Sequence, residues 1–162
     1  MQGLCFEVEN CEWQDAFIKP MLQLTTEQRS AIAVHGERDY PYECCGLMLG
    51  NFENNGAKVC VETYPISNAR EEDAKRNRFL IRPEELLRGE QQASAKGLEV
   101  VGFYHSHPDH PAVPSAYDLE HAWPTYSYIV VSVRSGHAEE LRSWEMQSDR
   151  SRFDEEEILK GN

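Results

Sequence analysis

The chemistry of this chain is concentrated in residues 105–118, His-Ser-His-Pro-Asp-His-Pro-Ala-Val-Pro-Ser-Ala-Tyr-Asp, which follow the apolar run Val100-Val101-Gly102-Phe103-Tyr104. Alternate side chains of an extended strand share a face, so His105 and His107 are expected to project the same way, with Pro108 ending the strand just beyond them. Pro114 or Ser115 suits the opening of a helix, and Asp118 then falls on the same helical face as Ser115, about one turn in. Two imidazoles and a carboxylate form a three-ligand set that leaves the fourth position of zinc to water, as in a catalytic site; a structural zinc takes four protein ligands, commonly thiolates. The plainer reading of the same letters is a pair of satisfied or surface histidines and a serine that only caps a helix.

The pattern HxHP, six residues, then SxxD resembles the motif of the JAMM (MPN+) metalloproteases, matching at His105, His107, Pro108, Ser115 and Asp118. The resemblance extends over roughly residues 24–158. It implies one zinc ion per chain held by His105, His107 and Asp118. Hydrolysing an amide also needs a group that takes the proton of the water and hands it to the leaving amine. Composition does not choose that group. Glu43 stands where a Tyr-Pro turn enters a glycine-edged apolar run, and Glu43-Cys44-Cys45-Gly46-Leu47-Met48-Leu49-Gly50 is similar to the element that carries the general acid and base in the family. By the same resemblance Ser115 steadies the oxyanion of the tetrahedral intermediate, a role that coexists with capping.

The resemblance further implies a substrate: the peptide or isopeptide bond after the C-terminal Gly-Gly tail of a ubiquitin-like protein, led through a narrow channel that Phe103, Tyr104 and Tyr117 help to shape. For Phe103 core packing is the equal alternative. Only the short stretch 119–126 separates the ligand helix from the next strand, which matches the compact prokaryotic type, whose substrates are sulfur-carrier proteins as precursors, conjugates or cysteine adducts. Two other readings stay open: a catalytically silent MPN scaffold that binds protein partners, and a zinc hydrolase of small amides. His35, His110, His121 and His137 are expected at the surface or the rim and are not assigned as ligands.

The elements that must position these groups fit one domain of 162 residues, 40% apolar and 27% charged, long enough for a real core. A net charge of -12 without a basic stripe argues against nucleic acid. Membrane association is not expected, since the chain has no long uncharged apolar span; it also lacks the basic start and apolar centre of a secretory signal, so a cytoplasmic location follows. Five cysteines in no CxxC pattern are expected as reduced thiols. Residues 1–23 read as an appended arm and 24–162 as the single domain.

Within that domain Thr25-Thr26-Glu27-Gln28 has the form of a capping box opening a helix to about Arg38. A central strand over 44–50 and a second over 58–66, joined at Asn54-Asn55-Gly56, form a hairpin. The charged run 68–78 is expected as a solvated loop, with a substrate-facing role as the minority reading. A second helix opens at Pro83 and ends at Gly97. The stretch 98–104 feeds the histidines, 127–133 lies in the middle of the sheet, 137–146 pairs with it, and Phe153, Glu157 and Ile158 mark a terminal helix. The sum is an α/β fold, a mixed sheet packed between helices, implied by the resemblance to be the cytidine-deaminase-like MPN (JAMM) domain.

Overall fold

A computed structural model describes residues 21–161. Its elements run β1 (Met21–Leu24), α1 (Thr26–Asp39), β2 (Cys45–Phe52), β3 (Lys58–Ile66), α2 (Pro83–Ala95), β4 (Glu99–Pro108), α3 (Ala116–His121), β5 (Ser127–Arg134), β6 (His137–Met146) and β7 (Phe153–Lys160). The mixed sheet and its flanking helices are the expected α/β class. The strands do not remain an open layer, however: they close in the order β1-β3-β2-β4-β5-β6-β7. Closure depends on β1, which pairs in parallel with β7 over four positions and with β3 at Leu22↔Lys58 and Gln23↔Val59.

Two sequence expectations are corrected here. Met21–Gln23, assigned to the arm, are part of the barrel, and Leu22 and Leu24 are completely buried. The rest of the arm, residues 1–20, lies outside the described residues. The terminal helix is instead strand β7, antiparallel to β6. The residue it buries most deeply is Glu156, which accepts from Lys58 Nζ at 2.9 Å and from Ser143 Oγ at 2.6 Å. With a charge facing inward, β7 lacks the alternation of apolar and polar letters that marks a half-buried strand.

Strand β4 is central. It pairs antiparallel with β2, Cys45 opposite His105, and parallel with β5, His105 opposite Val130 and His107 opposite Ser132. Both histidines therefore stand on a backbone held from two sides. Helix α1 opens with the expected capping box between Thr25 and Gln28 and lies close on the sheet, because a Cβ at Gly36 would come within 3.0 Å of Val133 and 3.3 Å of Ser106. Its His35, expected at the surface, is buried: Nδ1 meets the Tyr104 hydroxyl at 2.9 Å and Nε2 meets Asp39 at 3.2 Å. Tyr104 accordingly belongs to the core and not to a channel. A Cβ at Gly46 would meet the Tyr104 ring at 2.4 Å, so β2 needs glycine there. Helix α2 covers the other face of β2 and β4, ending before Gly97 in the left-handed region, φ +68°.

Candidate metal centre

His105 and His107 are two residues apart on β4 and turn their Nε2 atoms to one point, 3.0 Å from each other. Asp118, in the first turn of α3, meets them with Oδ1 at 3.5 Å from His105 and Oδ2 at 3.6 Å from His107. Zinc bonds of ~2.0–2.2 Å place neighbouring tetrahedral donors about 3.3 Å apart, so the three separations fit such an ion. Among the described residues this is the group of His, Cys, Asp and Glu side chains whose donor atoms converge, all within 4.8 Å of one another.

The surrounding structure orients each donor. His107 Nδ1–H donates to the Pro111 carbonyl at 3.0 Å, which leaves the Nε2 lone pair facing the centre. The His105 ring stacks on Phe79, centroids 4.8 Å apart, while its buried Nδ1 has no hydrogen-bond partner. Ser115 caps α3: its backbone N–H and its hydroxyl both donate to Asp118 Oδ2, at 2.6 and 2.7 Å, and its Oγ accepts from the Asp118 N–H. Burial pushes the Asp118 carboxyl upward, but the two imidazoles and Ser115 outweigh it and hold the group well below the usual carboxylate range. For His105 burial dominates and lowers the pKa. For His107 burial also opposes the charged form, yet the bond to Asp118 and the charges of Glu43 and Asp118 win and raise it.

Glu43, just before β2, is 5% exposed, and its carboxyl is raised to about 8, by burial first and then by the Asp118 charge. His107 and Arg78 pull it the other way. Its backbone is laced to the charged run: Glu43 N–H donates to the Lys75 carbonyl at 2.8 Å and Asn68 Nδ2 donates to the Glu43 carbonyl at 3.0 Å. The same Nδ2 reaches the Arg78 carbonyl at 3.0 Å, and Asn68 Oδ1 accepts from the N–H groups of Arg70 and Leu80. The segment expected to be mainly a solvated loop is thus a wall of the site. Ser106 adds a further tie, its Oγ accepting from Cys44 N–H at 2.8 Å.

Two cavities each carry part of the converging trio. One, of about 370 Å³, is apolar and aromatic, with Phe79, Phe103, Tyr117 and Trp123 beside His105 and Asp118. The other, of about 350 Å³, brings Glu43, Arg78 and His110 together with His107 and Ser115. Tyr117 and Phe103 line the first, and Phe103 also packs on Tyr126 and Tyr128. His121 and His137 are exposed, and His110 is an exposed rim residue. Cys44, Cys45 and Cys60 are buried free thiols. Sequence reasoning missed Asn68, Arg78, Phe79 and the Pro111 carbonyl. Only Asn68, the polar residue two positions beyond β3 at the head of a charged run, left a local trace.

Residues 25–147 match the family described as prokaryotic homologs of the JAB domain. The chain belongs to that family. It is the compact prokaryotic JAMM (MPN+) type that the motif resembles. Similar proteins include a desampylase of Haloferax volcanii, 35% identical over 116 residues, covering 68% of this chain and 80% of that one. A CysO-cysteine peptidase of Mycobacterium tuberculosis is 32% identical over 130 residues, covering 76% and 82%. A solution structure of a protein from Desulfitobacterium hafniense superposes with a TM-score of 0.76 at 29% identity, covering 88% of this chain and 94% of that one. No helix among the described residues is long and apolar enough to cross a membrane.

Proposed function

We propose that this JAMM-type peptidase is a zinc-dependent hydrolase that cleaves the peptide or isopeptide bond after the C-terminal Gly-Gly tail of a ubiquitin-like or sulfur-carrier protein in the cytoplasm. The observation that carries the reading is the convergence of His105, His107 and Asp118 beside a buried carboxyl, Glu43. Its support beyond geometry is the likeness to a desampylase and a CysO-cysteine peptidase.

His105, His107 and Asp118 would hold one zinc ion, which would supply an acidified water and polarise the scissile carbonyl. Glu43 takes the proton of the attacking water and returns it to the leaving nitrogen. The water oxygen ends on the acyl group and the C–N bond breaks with a neutral amine departing. A dication held there would favour the ionised carboxylate and leave Glu43 ready as a base at neutral pH. Ser115 turns its hydroxyl from Asp118 toward the oxyanion. His107, with its proton on Nδ1 held by Pro111, keeps a fixed ring through the cycle.

The test is to load the purified protein with zinc and offer a carrier protein extended beyond Gly-Gly. Release of the extension, lost on chelation and in Glu43→Gln, is the expected result. Asp118→Ala is expected to lose zinc and activity while circular dichroism still reports the native fold. Release that survives chelation would refute the mechanism, and no release from any Gly-Gly extension would refute the substrate class.

A further inference from the structure

The cavity beside Glu43 contains a cation whose role in the reaction is open. Arg78 lines it together with Glu43, His107 and Ser115. The guanidinium lies over the Tyr117 ring, 4.4 Å from its centroid, and one N–H group donates to the Asn77 carbonyl. Among the described residues no carboxylate lies within ion-pair distance of it, although the chain carries 28 acidic residues against 16 basic ones. A guanidinium presents five N–H donors in a planar fork that matches a carboxylate. Its main chain is held by the same Asn68 amide that holds Glu43.

The side of the centre that carries Glu43 is the side of the leaving amine, because Glu43 must reach that nitrogen to protonate it. We propose that Arg78 is a specificity-determining residue which pairs with the free α-carboxylate of a single amino acid leaving from the carrier terminus. A residue attached through its α-amine carries its carboxylate one carbon from the leaving nitrogen, within the same cavity. A lysine side chain leaving from an isopeptide has no such group. The preferred substrate is therefore a carrier protein ending in one added amino acid, ahead of a lysine-linked conjugate. The apolar cavity beside His105 and Asp118 remains for the acyl side.

This inference rests on the peptidase reading, and the experiment separates the two. The zinc-loaded full chain is given a ubiquitin-like carrier extended beyond Gly-Gly by one alanine, either as the free acid or as the C-terminal carboxamide. Loss of one charge-assisted pair predicts a preference for the acid of about tenfold or more in kcat/KM, carried mainly by KM. Arg78→Gln is expected to erase the ratio by bringing the acid down toward the amide, and Arg78→Lys to restore part of it. Equal cleavage of acid and amide by the unmodified enzyme overturns the inference while leaving the peptidase reading intact, as does a preference that survives Arg78→Gln. Cleavage of neither substrate overturns both.

Discussion

Glu43 has a carboxyl that is neutral more readily than a surface glutamate, and this has a consequence for the metal-free protein. Its pKa in the fold is raised to about 8 from an ordinary 4.5, so between those values the folded chain holds a proton that the unfolded chain has lost. Folding is then weakened as pH rises through that window. Glu43→Gln removes the linkage, and in chelator its melting temperature relative to the unmodified protein is expected to climb between pH 5 and pH 8. A constant offset across that range would contradict it. Catalysis gives the second readout: loss of an acid and base costs about 10²–10⁴-fold in kcat, and zinc content should be retained because Glu43 is not in the ligand set. At this scale the convergence of His105, His107 and Asp118 was legible because the three lie within 14 residues of one another. Glu43 was legible only through family likeness. What ties down its backbone, Asn68 and the carbonyl of Lys75, lies 25 or more positions away and carries no signature of its own.

Among the elements, the segment from Asn68 to Phe79 does more than its composition suggests. Asn68 uses both amide hydrogens and its oxygen on the main chain of Glu43, Arg78, Arg70 and Leu80, so one side chain sets the spacing between Glu43 and the loop. Asn68→Ala is expected to lower kcat/KM by about 10–100-fold, in line with losses at groups that orient catalytic ones. Zinc affinity measured by chelator competition should stay within a few-fold. A matching loss of zinc affinity would show that the loop serves the ligands instead. The strand and helix boundaries before and after this loop were readable because they depend on local punctuation: the capping box at Thr25, the turn at Asn55-Gly56, Pro83 at the start of α2. The segment Phe153–Lys160 was not. Its inward charge, Glu156, makes sense only beside Lys58, 98 positions earlier in the chain.

Across the whole molecule, stability depends on closing the ring of strands with its shortest member. Leu22 and Leu24 of β1 are both fully buried in the cluster that also holds Ile32, Met48 and Ile129. Leu22→Ala should cost about 2–5 kcal/mol in urea unfolding, the range for a buried leucine truncated to leave a cavity. A loss below about 1 kcal/mol would mean that β1 is dispensable and the barrel tolerates opening. Closure was invisible in the letters because four residues, Met-Leu-Gln-Leu, are too few to announce a strand until β7 and β3 are in place on either side. The two unlike hollows meeting at the histidine pair have a practical corollary for inhibitors. A chelating head with an oily arm on one side and an acidic arm on the other would occupy both at once, and should bind more tightly than a compound carrying either arm alone.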